Sequence, residues 1–196
     1  MRYLVFDIES TSKSGVNVRG KIDLDDQELT VVAVYDSATD AYSSYLREDL
    51  PQLWPVIERV DFLVGYNSDS FDIPLLNRYY PGDLSRIPSL DLMVEVQKAL
   101  GRRLRLDSLA QATLKRGKSG DGLKAQDWWR DGEIEKVRAY CIEDVRITKE
   151  LHDYMRDKSA VKYKDLREVR EVKLDTSAWD APSVFAAPAL THALPL

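Results

Sequence analysis

Two acidic residues near the N-terminus, Asp7 and Glu9, are the first in this sequence whose types and spacing suggest chemistry. They lie in residues 2–10, RYLVFDIES, where apolar β-branched and aromatic residues alternate as in a β-strand. Because alternate residues of a strand share a face and the rise is roughly 3.3 Å per residue, the two carboxylates are about 7 Å apart on one side. This spacing suits cations bound between them. Acidic residues of an edge strand facing water would give the same pattern, but this strand is too apolar for an edge.

Three further candidates lie on predicted helices. Asp72 follows a short apolar strand at the beginning of a helix, where the helix dipole alone also favours an acidic residue. Tyr140 and Asp144 are four residues apart in a helix predicted over residues 133–155, so they share one side of it. An aspartate on an inward helix face is costly unless a cation or a hydrogen-bond donor compensates it.

Composition restricts the identity of such a cation. The chain has one cysteine, Cys141, and two histidines, which provide neither an internal disulfide nor a zinc constellation. Carboxylates alone favour Mg²⁺ or Mn²⁺. Four carboxylates gathered at one point repel one another, so the set makes sense around about two divalent cations. Two such ions, roughly 3.5 to 4 Å apart, stabilise the attacking and the leaving oxygen in phosphodiester cleavage.

Length and composition indicate the class of protein. With 196 residues and 44% hydrophobic content, we expect one domain over residues 1–157 and a C-terminal extension over residues 158–196. The extension is predicted to contain a hairpin over residues 161–174 and a poorly ordered tail, rich in Ala and Pro, over residues 181–196. The sequence has no apolar run of membrane-spanning length and no basic, apolar leader, so we expect a cytoplasmic protein with no membrane partner.

A basic segment is prominent in a chain whose net charge is −5. Residues 102–118 contain six basic side chains against one acid, Asp107, which marks a candidate phosphate-contacting surface. The alternative is a pair of solvated helix ends whose cations complement the helix dipoles. Of the adjacent Trp128 and Trp129, one is a candidate for stacking on a base, although such pairs more often only pack. The basic candidates are Arg102, Arg103, Arg105, Lys115, Arg116 and Lys118.

Taken in order, the acidic motifs resemble those of the DEDDy exonucleases of the ribonuclease H-like superfamily. The first motif, D-x-E, is matched by residues 7–9, the second, N-x(2 to 3)-[FY]-D, by residues 67–72, and the third, Y-x-x-x-D, by residues 140–144. Each motif is weak alone, but three in order, each in its expected element, are a strong signal. The resemblance covers about residues 1–155 and is greatest to the proofreading exonuclease domain of B-family DNA polymerases. It implies an α/β, ribonuclease H-like fold: a central mixed five-stranded sheet with an antiparallel hairpin, flanked by helices.

The same resemblance implies an activity. The expected reaction is 3′-to-5′ exonucleolytic hydrolysis at the free 3′ end of a single-stranded nucleic acid, with DNA favoured over RNA, which releases nucleoside 5′-monophosphates. Two alternatives stay open: a catalytically silent nucleic-acid-binding module, and a structure-specific endonuclease on the same fold. The sequence does not indicate a protein partner.

The resemblance also implies a role for each motif residue. Asp7 is expected to contact both Mg²⁺ or Mn²⁺ ions and Glu9 one of them. Asp144 would complete the site of the ion that holds the attacking water, which Tyr140 would orient, and Asp72 would support the other ion. Contacts to the nucleic acid are assigned to Ser10, Thr11, Asn67 and Phe71 in addition to the basic residues.

Overall fold

The computed structural model describes residues 1–14, 23–116 and 122–179 of the chain. In these ranges the main sheet has five strands in the spatial order β3-β2-β1-β4-β5. The central strand β1 pairs antiparallel with β2 and parallel with β4, while the outer pairs are antiparallel β2–β3 and parallel β4–β5. The predicted fold class, a mixed five-stranded sheet with an antiparallel hairpin, is confirmed. The strand bounds are β1 (Tyr3–Ser12), β2 (Gln27–Asp36), β3 (Ala41–Leu46), β4 (Phe62–Gly65) and β5 (Ser89–Asp91).

Helices cover both faces of this sheet, as predicted. On one face, Leu4, Phe6 and Ile8 of β1 join a core with apolar residues of α1 and α2. On the other face, Val5 joins a core with apolar residues of α3, α4 and α6. Because side chains alternate along a strand, Asp7 and Glu9 lie on the same face as Val5 and point towards α6. The helix bounds are α1 (Leu50–Ile57), α2 (Asp72–Asn77), α3 (Leu92–Leu100), α4 (Leu106–Leu114), α5 (Gly122–Arg130) and α6 (Ile134–Lys158).

The C-terminal hairpin packs onto the same core. It consists of β6 (Ala160–Asp165) and β7 (Glu168–Lys173), which pair antiparallel. Val161 and Tyr163 belong to the core on the α4 and α6 side of the sheet, and the Trp179 ring stacks on His152 at 5.8 Å.

The division of the chain at residue 157 stays a prediction, and the tail predicted over residues 181–196 lies outside the described residues. No helix in the described ranges is long and apolar enough to cross a membrane.

An ion pair joins the start of β1 to the end of β2. Arg2 Nη2 lies 2.5 Å from Asp36 Oδ2, and Arg2 Nε donates to Asp36 Oδ1 at 3.1 Å. These hydrogen bonds lower the pKa of Asp36 below its ordinary value, although burial acts in the opposite direction. The charged form of Asp36 therefore stabilises the folded state.

We expect Asp36→Asn to reduce the free energy of unfolding at pH 7 by about 1 to 3 kcal/mol, because a charge-assisted hydrogen-bond pair is lost. The folded pKa lies below the unfolded one, so this stabilisation is present above the ordinary aspartate pKa of about 3.9 and disappears as the pH falls below it. Urea unfolding at pH 7 and at successively lower pH measures the difference. Asp157→Asn is a matched control at an exposed pair with Lys158 and should change stability by at most about 0.5 kcal/mol. A difference that is independent of pH would assign the effect of Asp36 to packing instead of charge.

Candidate active site

The C-terminal half of β1 and the first half of α6 bring three potential metal ligands together. One ligand atom each from Asp7, Glu9 and Cys141 lie within 4.8 Å of one another. The Cys141 thiol donates to the backbone oxygen of Asp7 at 3.4 Å and lies 3.8 Å from its Oδ2. Because α6 packs across the face of β1 that carries Asp7 and Glu9, Cys141 of the third motif lies against the first motif at this point.

The pKa of Cys141 is influenced by acidic residues of both β1 and α6. Burial raises the pKa of the Cys141 thiol well above its ordinary value, and the negative charges of Asp7, Glu9 and Asp144 raise it further. Asp144 itself is buried, with an exposed fraction of 3%. Three carboxylates from two segments therefore act on one buried thiol.

Tyr140 lies one helical turn before Asp144 on α6. Its side chain is buried, with an exposed fraction of 4%, and its ring meets the ring of Trp128 from α5 edge-on at a centroid distance of 6.1 Å. Residues four apart on a helix lie on one side of it. Tyr140 and Asp144 therefore occupy the same side of α6, and α5 fixes the position of the tyrosine ring.

Asp72 reaches β1 at the point where its pairing with β4 has ended. The parallel pairing of β1 with β4 ends at the pair Val5 and Val64, so the later part of β1 has no β4 partner. The Asp72 carboxylate fills this gap, because its Oδ1 accepts a hydrogen bond of 3.2 Å from the backbone N–H of Ile8. A buried backbone N–H needs such an acceptor. Asp72 is thus held directly beside the residue between Asp7 and Glu9.

The loop between β4 and α2 is held in shape by Asp91. The Asp91 carboxylate caps α3 by accepting from the N–H of Met93 at 2.9 Å, and it also accepts from the N–H groups of Asn67 at 2.8 Å and Asp69 at 3.1 Å. Burial raises the pKa of Asp91, although these backbone hydrogen bonds act in the opposite direction. Asn67 has a φ of 65°, a left-handed conformation that asparagine tolerates better than most residues. Asn67 and Asp91 together determine where the chain turns towards Asp72.

The residues at this point fit divalent cations. Asp7, Glu9, Asp72 and Asp144 offer hard carboxylate oxygens, and the last two are almost fully buried. Like charges as close as those of Asp7 and Glu9 favour ions of charge +2 between them, and hard oxygen ligands suit Mg²⁺ and Mn²⁺. The thiol of Cys141 adds one soft donor that the sequence analysis gave no role; its position directly after Tyr140 in the third motif was the signal that placed it near the site.

Two of the described basic residues of the segment 102–118 pair with acidic side chains. The Arg102 guanidinium lies over the Tyr163 ring at 5.5 Å and 3.6 Å from Asp165, so it packs on the C-terminal hairpin. Arg116 contacts Glu143 at 2.7 Å and Glu150 at 2.5 Å on α6. Two carboxylates on one guanidinium leave little positive field for a phosphate. These two arginines are therefore poor candidates for phosphate contacts.

The other basic candidates have weaker contacts. Arg103 Nε donates to Gln97 at 3.1 Å, and Lys115 Nζ donates to the backbone oxygen of Ala112 at 3.4 Å. Arg105 is the exposed residue that precedes α4. Lys118 lies outside the described residues. Arg103, Arg105 and Lys115 remain available for a nucleic acid.

The remaining predicted contact residues lie close to the acidic group in the chain. Ser10 Oγ donates to Gln27 at 2.9 Å, which uses its hydroxyl proton within the sheet. Thr11 lines a groove at the end of β1. Phe71 is half-buried at the position directly before α2, next to Asp72. Thr11 and Phe71 thus lie at two different borders of the candidate site.

Comparison with known proteins agrees with this fold. The model of the RNase_H superfamily matches residues 4–156. Among solved structures, the family B DNA polymerase from the hyperthermophilic archaeon Pyrobaculum calidifontis is similar, with a TM-score of 0.59 and 22% sequence identity over 79% of this chain. The chain spans only 24% of that polymerase, and at this identity the likeness shows the fold alone. No curated protein sequence matches. Because the superfamily model covers most of the chain, this protein belongs to the RNase_H superfamily.

Proposed function

We propose that this protein is a metal-dependent 3′-to-5′ exonuclease that hydrolyses phosphodiester bonds at the 3′ end of single-stranded nucleic acid and releases nucleoside 5′-monophosphates. The observation that carries the proposal is the meeting of Asp7, Glu9 and the Cys141 region of α6, with Asp72 hydrogen-bonded to the intervening Ile8. This arrangement supports the three-motif assignment made from the sequence. DNA as the preferred substrate and a cytoplasmic location stay predictions.

The four carboxylates are the proposed metal ligands. Asp7, Glu9 and Asp144 would hold the cations on the α6 side of β1, and Asp72 would contribute from its position beside Ile8. Two bound Mg²⁺ or Mn²⁺ ions would supply a water activated for attack and would stabilise negative charge on the phosphate. The hydrogen bond from the N–H of Ile8 fixes the orientation of the Asp72 carboxylate before a cation binds.

Tyr140 is proposed to position the attacking water through its hydroxyl group. Its ring is confined by the edge-on contact with Trp128, so the hydroxyl has a restricted set of positions. Phe71, next to Asp72, is placed to contact the terminal base. Arg103, Arg105 and Lys115 are proposed to contact the phosphate backbone.

A product assay tests the proposal. Single strands of DNA and RNA, labelled at either the 5′ or the 3′ end, should be incubated with Mg²⁺ or Mn²⁺ and the products separated by size. We expect the 3′ label to appear at once as a mononucleotide, and the 5′ label to move through a ladder of progressively shorter strands. Removal of the metal with EDTA should stop both, and its return should restore them, because the carboxylates alone provide no charge stabilisation.

The same assay separates the alternatives. A structure-specific endonuclease would give internal fragments from both labels. A silent binding module would bind the strands and release no product with either metal. Either result would contradict the proposed exonuclease.

A further inference from the structure

A groove of about 640 Å³ lies between the end of β1 and α5. It is polar, and its wall contains hydroxyl groups, an amide, two cations and an indole ring. The side chains that line it are Thr11, Ser12, Lys13, Ser14, Gln126, Trp129 and Arg130. Of these, Thr11 is a predicted nucleic-acid contact, and Trp129 belongs to the tryptophan pair in which one ring is a candidate for stacking on a base.

The groove adjoins the candidate active site along the chain. Thr11 is two residues beyond Glu9 on the same strand, and a register shift in the pairing of β1 with β2 lies between them. On the other wall, Trp129 directly follows Trp128, whose ring contacts Tyr140. Both walls therefore extend outwards from residues of the metal site.

Trp129 offers a surface for stacking. Its side chain is half-buried: part of the ring packs against the core on the α6 side of the sheet, and part lines the groove. Proteins that bind single strands without sequence preference use aromatic rings of this kind, on which any base can stack, combined with cations along the backbone.

The two cations of the groove are held by contacts that a phosphate can replace. Lys13 Nζ donates to the backbone oxygen of Asp25 at 2.8 Å, and Arg130 pairs with Asp127 at 2.5 Å. In the Arg130–Asp127 pair both side chains are well exposed, and such surface pairs contribute only about 0 to 1 kcal/mol. Replacing these contacts by contacts to a phosphate therefore costs little.

The β1 wall of the groove is firmly positioned by Asp26. Its carboxylate accepts from Ser12 Oγ at 2.5 Å and from Ser14 Oγ and backbone N–H, each at 3.0 Å. The hydrogen bond from Ser12 is the main reason that the pKa of Asp26 is lowered. These hydrogen bonds hold the backbone on both sides of Lys13, which lies between the two serines.

We propose that this groove binds the nucleotides that precede the 3′-terminal nucleotide of a single-stranded substrate, with Trp129 stacking on a base and Arg130 and Lys13 contacting phosphates. The inference rests on the proposed exonuclease function and extends it from the metal site to the path of the strand. It predicts that replacing Trp129 does not change the affinity for substrates too short to reach the groove.

The test is equilibrium binding of 5′-labelled oligo(dT) in EDTA, which prevents hydrolysis, with anisotropy as the readout. We expect Trp129→Ala to weaken binding of a twelve-nucleotide strand on the order of ten-fold, since a base stacked on an aromatic ring contributes about 1 to 3 kcal/mol. Binding of a dinucleotide should stay unchanged. Trp129→Phe, which keeps an aromatic face, should bind the twelve-nucleotide strand almost as tightly as the wild-type protein. If Trp129 had only a structural role, its replacement would weaken binding of long and short strands alike.

Arg130→Ala provides a second variant that does not disturb the core, because this side chain is exposed. If Arg130 contacts one phosphate, the slope of log K against log salt should become shallower by about 0.7. Arg59→Ala removes an equally exposed arginine that follows α1 on the opposite face of the sheet and should leave the slope as it is. Circular dichroism confirms that each variant is folded before binding is measured.

Unchanged affinity of the long strand in Trp129→Ala, or an unchanged salt slope in Arg130→Ala, would overturn the groove. Wild-type protein that releases mononucleotides while these variants bind normally would refute the groove alone. Variants that weaken binding of long strands, in a wild-type protein that never releases mononucleotides, would refute the exonuclease and leave the groove as a nucleic-acid-binding surface.

Discussion

Asp7→Asn should reduce the rate of mononucleotide release by about a thousand-fold. Asp7 Oδ2 lies 3.8 Å from Cys141 Sγ, where the first and third motifs meet, and Asp7 is the proposed ligand of both metal ions. Charge stabilisation by a bound metal supplies several kcal/mol to the reaction, and a loss of about 4 kcal/mol corresponds to roughly three factors of ten in rate. Initial rates on a 3′-labelled strand in Mg²⁺ measure the effect.

The fold of this variant should survive, which separates loss of chemistry from loss of structure. Removing one of several neighbouring negative charges relieves their repulsion, so the melting temperature without metal should stay the same or rise. Mn²⁺ should raise the melting temperature of the wild-type protein, because a ligand at 100 times its dissociation constant stabilises by about 2.7 kcal/mol. In Asp7→Asn that increase should disappear.

Asp157→Asn is the matched control for this experiment. It makes the same chemical change on an exposed side chain of α6, thirteen residues or about 20 Å along the helix from Asp144. Its activity and its response to Mn²⁺ should equal those of the wild-type protein. Full activity in Asp7→Asn, or an undiminished response to Mn²⁺, would place the metal site elsewhere.

Gly65→Ala should reduce both stability and activity, although Gly65 is not a ligand. A methyl group at this position would lie 2.3 Å from Ser68 Oγ and 2.4 Å from Ser68 Cβ, far inside van der Waals contact. Ser68 is completely buried and cannot move outwards without disturbing its neighbours. We expect the free energy of unfolding to fall by about 1 to 3 kcal/mol, the usual range for overpacking.

The effect on activity follows from the next contact in the chain. The backbone oxygen of Ser68 accepts from the N–H of Ile73 at 2.9 Å, directly beside Asp72, so a displaced Ser68 shifts the start of α2. A misplacement of about 1 Å at a catalytic group can cost about a hundred-fold in rate. Urea unfolding and initial rates, measured on the same preparation, give the two quantities.

Two further variants make this prediction specific. Ser68→Gly removes both atoms that the new methyl group would meet, so the double variant should regain part of the stability and activity lost in Gly65→Ala. Gly101→Ala, at the end of α3, meets no atom within 4 Å but has a φ of 78°, so it should cost about 1 to 2 kcal/mol through backbone strain alone. Its activity should stay near wild type. Equal loss of activity in Gly101→Ala would mean that general destabilisation, and not the position of Asp72, explains the result.

Local patterns in the sequence were sufficient for most of the elements. Residues 92–100 and 106–114 carry local helical signals, an apolar periodicity and distinct boundary residues, and the structure has helices with these bounds. The hairpin predicted over residues 161–174 is observed within one residue, as β6 and β7. The nature of α5 was not predicted, because its two tryptophans and its flanking glycines gave no clear helical stripe.

The sequence alone predicts the four carboxylates and Tyr140 as one set, since three spaced motifs and the alternation of β1 indicate which residues share a face. The role of the carboxylates as metal ligands is a prediction that the variants above test. Three contacts follow only from the tertiary structure: Asp72 accepts from the N–H of Ile8, Asp91 accepts from the N–H of Asn67, and Cys141 lies against Asp7. The tertiary structure also pairs Arg102 with Asp165 and Arg116 with Glu143, and it places the end of β1 and α5 on two sides of one groove. Each of these contacts connects segments distant in the chain, and a one-dimensional pattern carries the period of an element but not the partner against which that element packs.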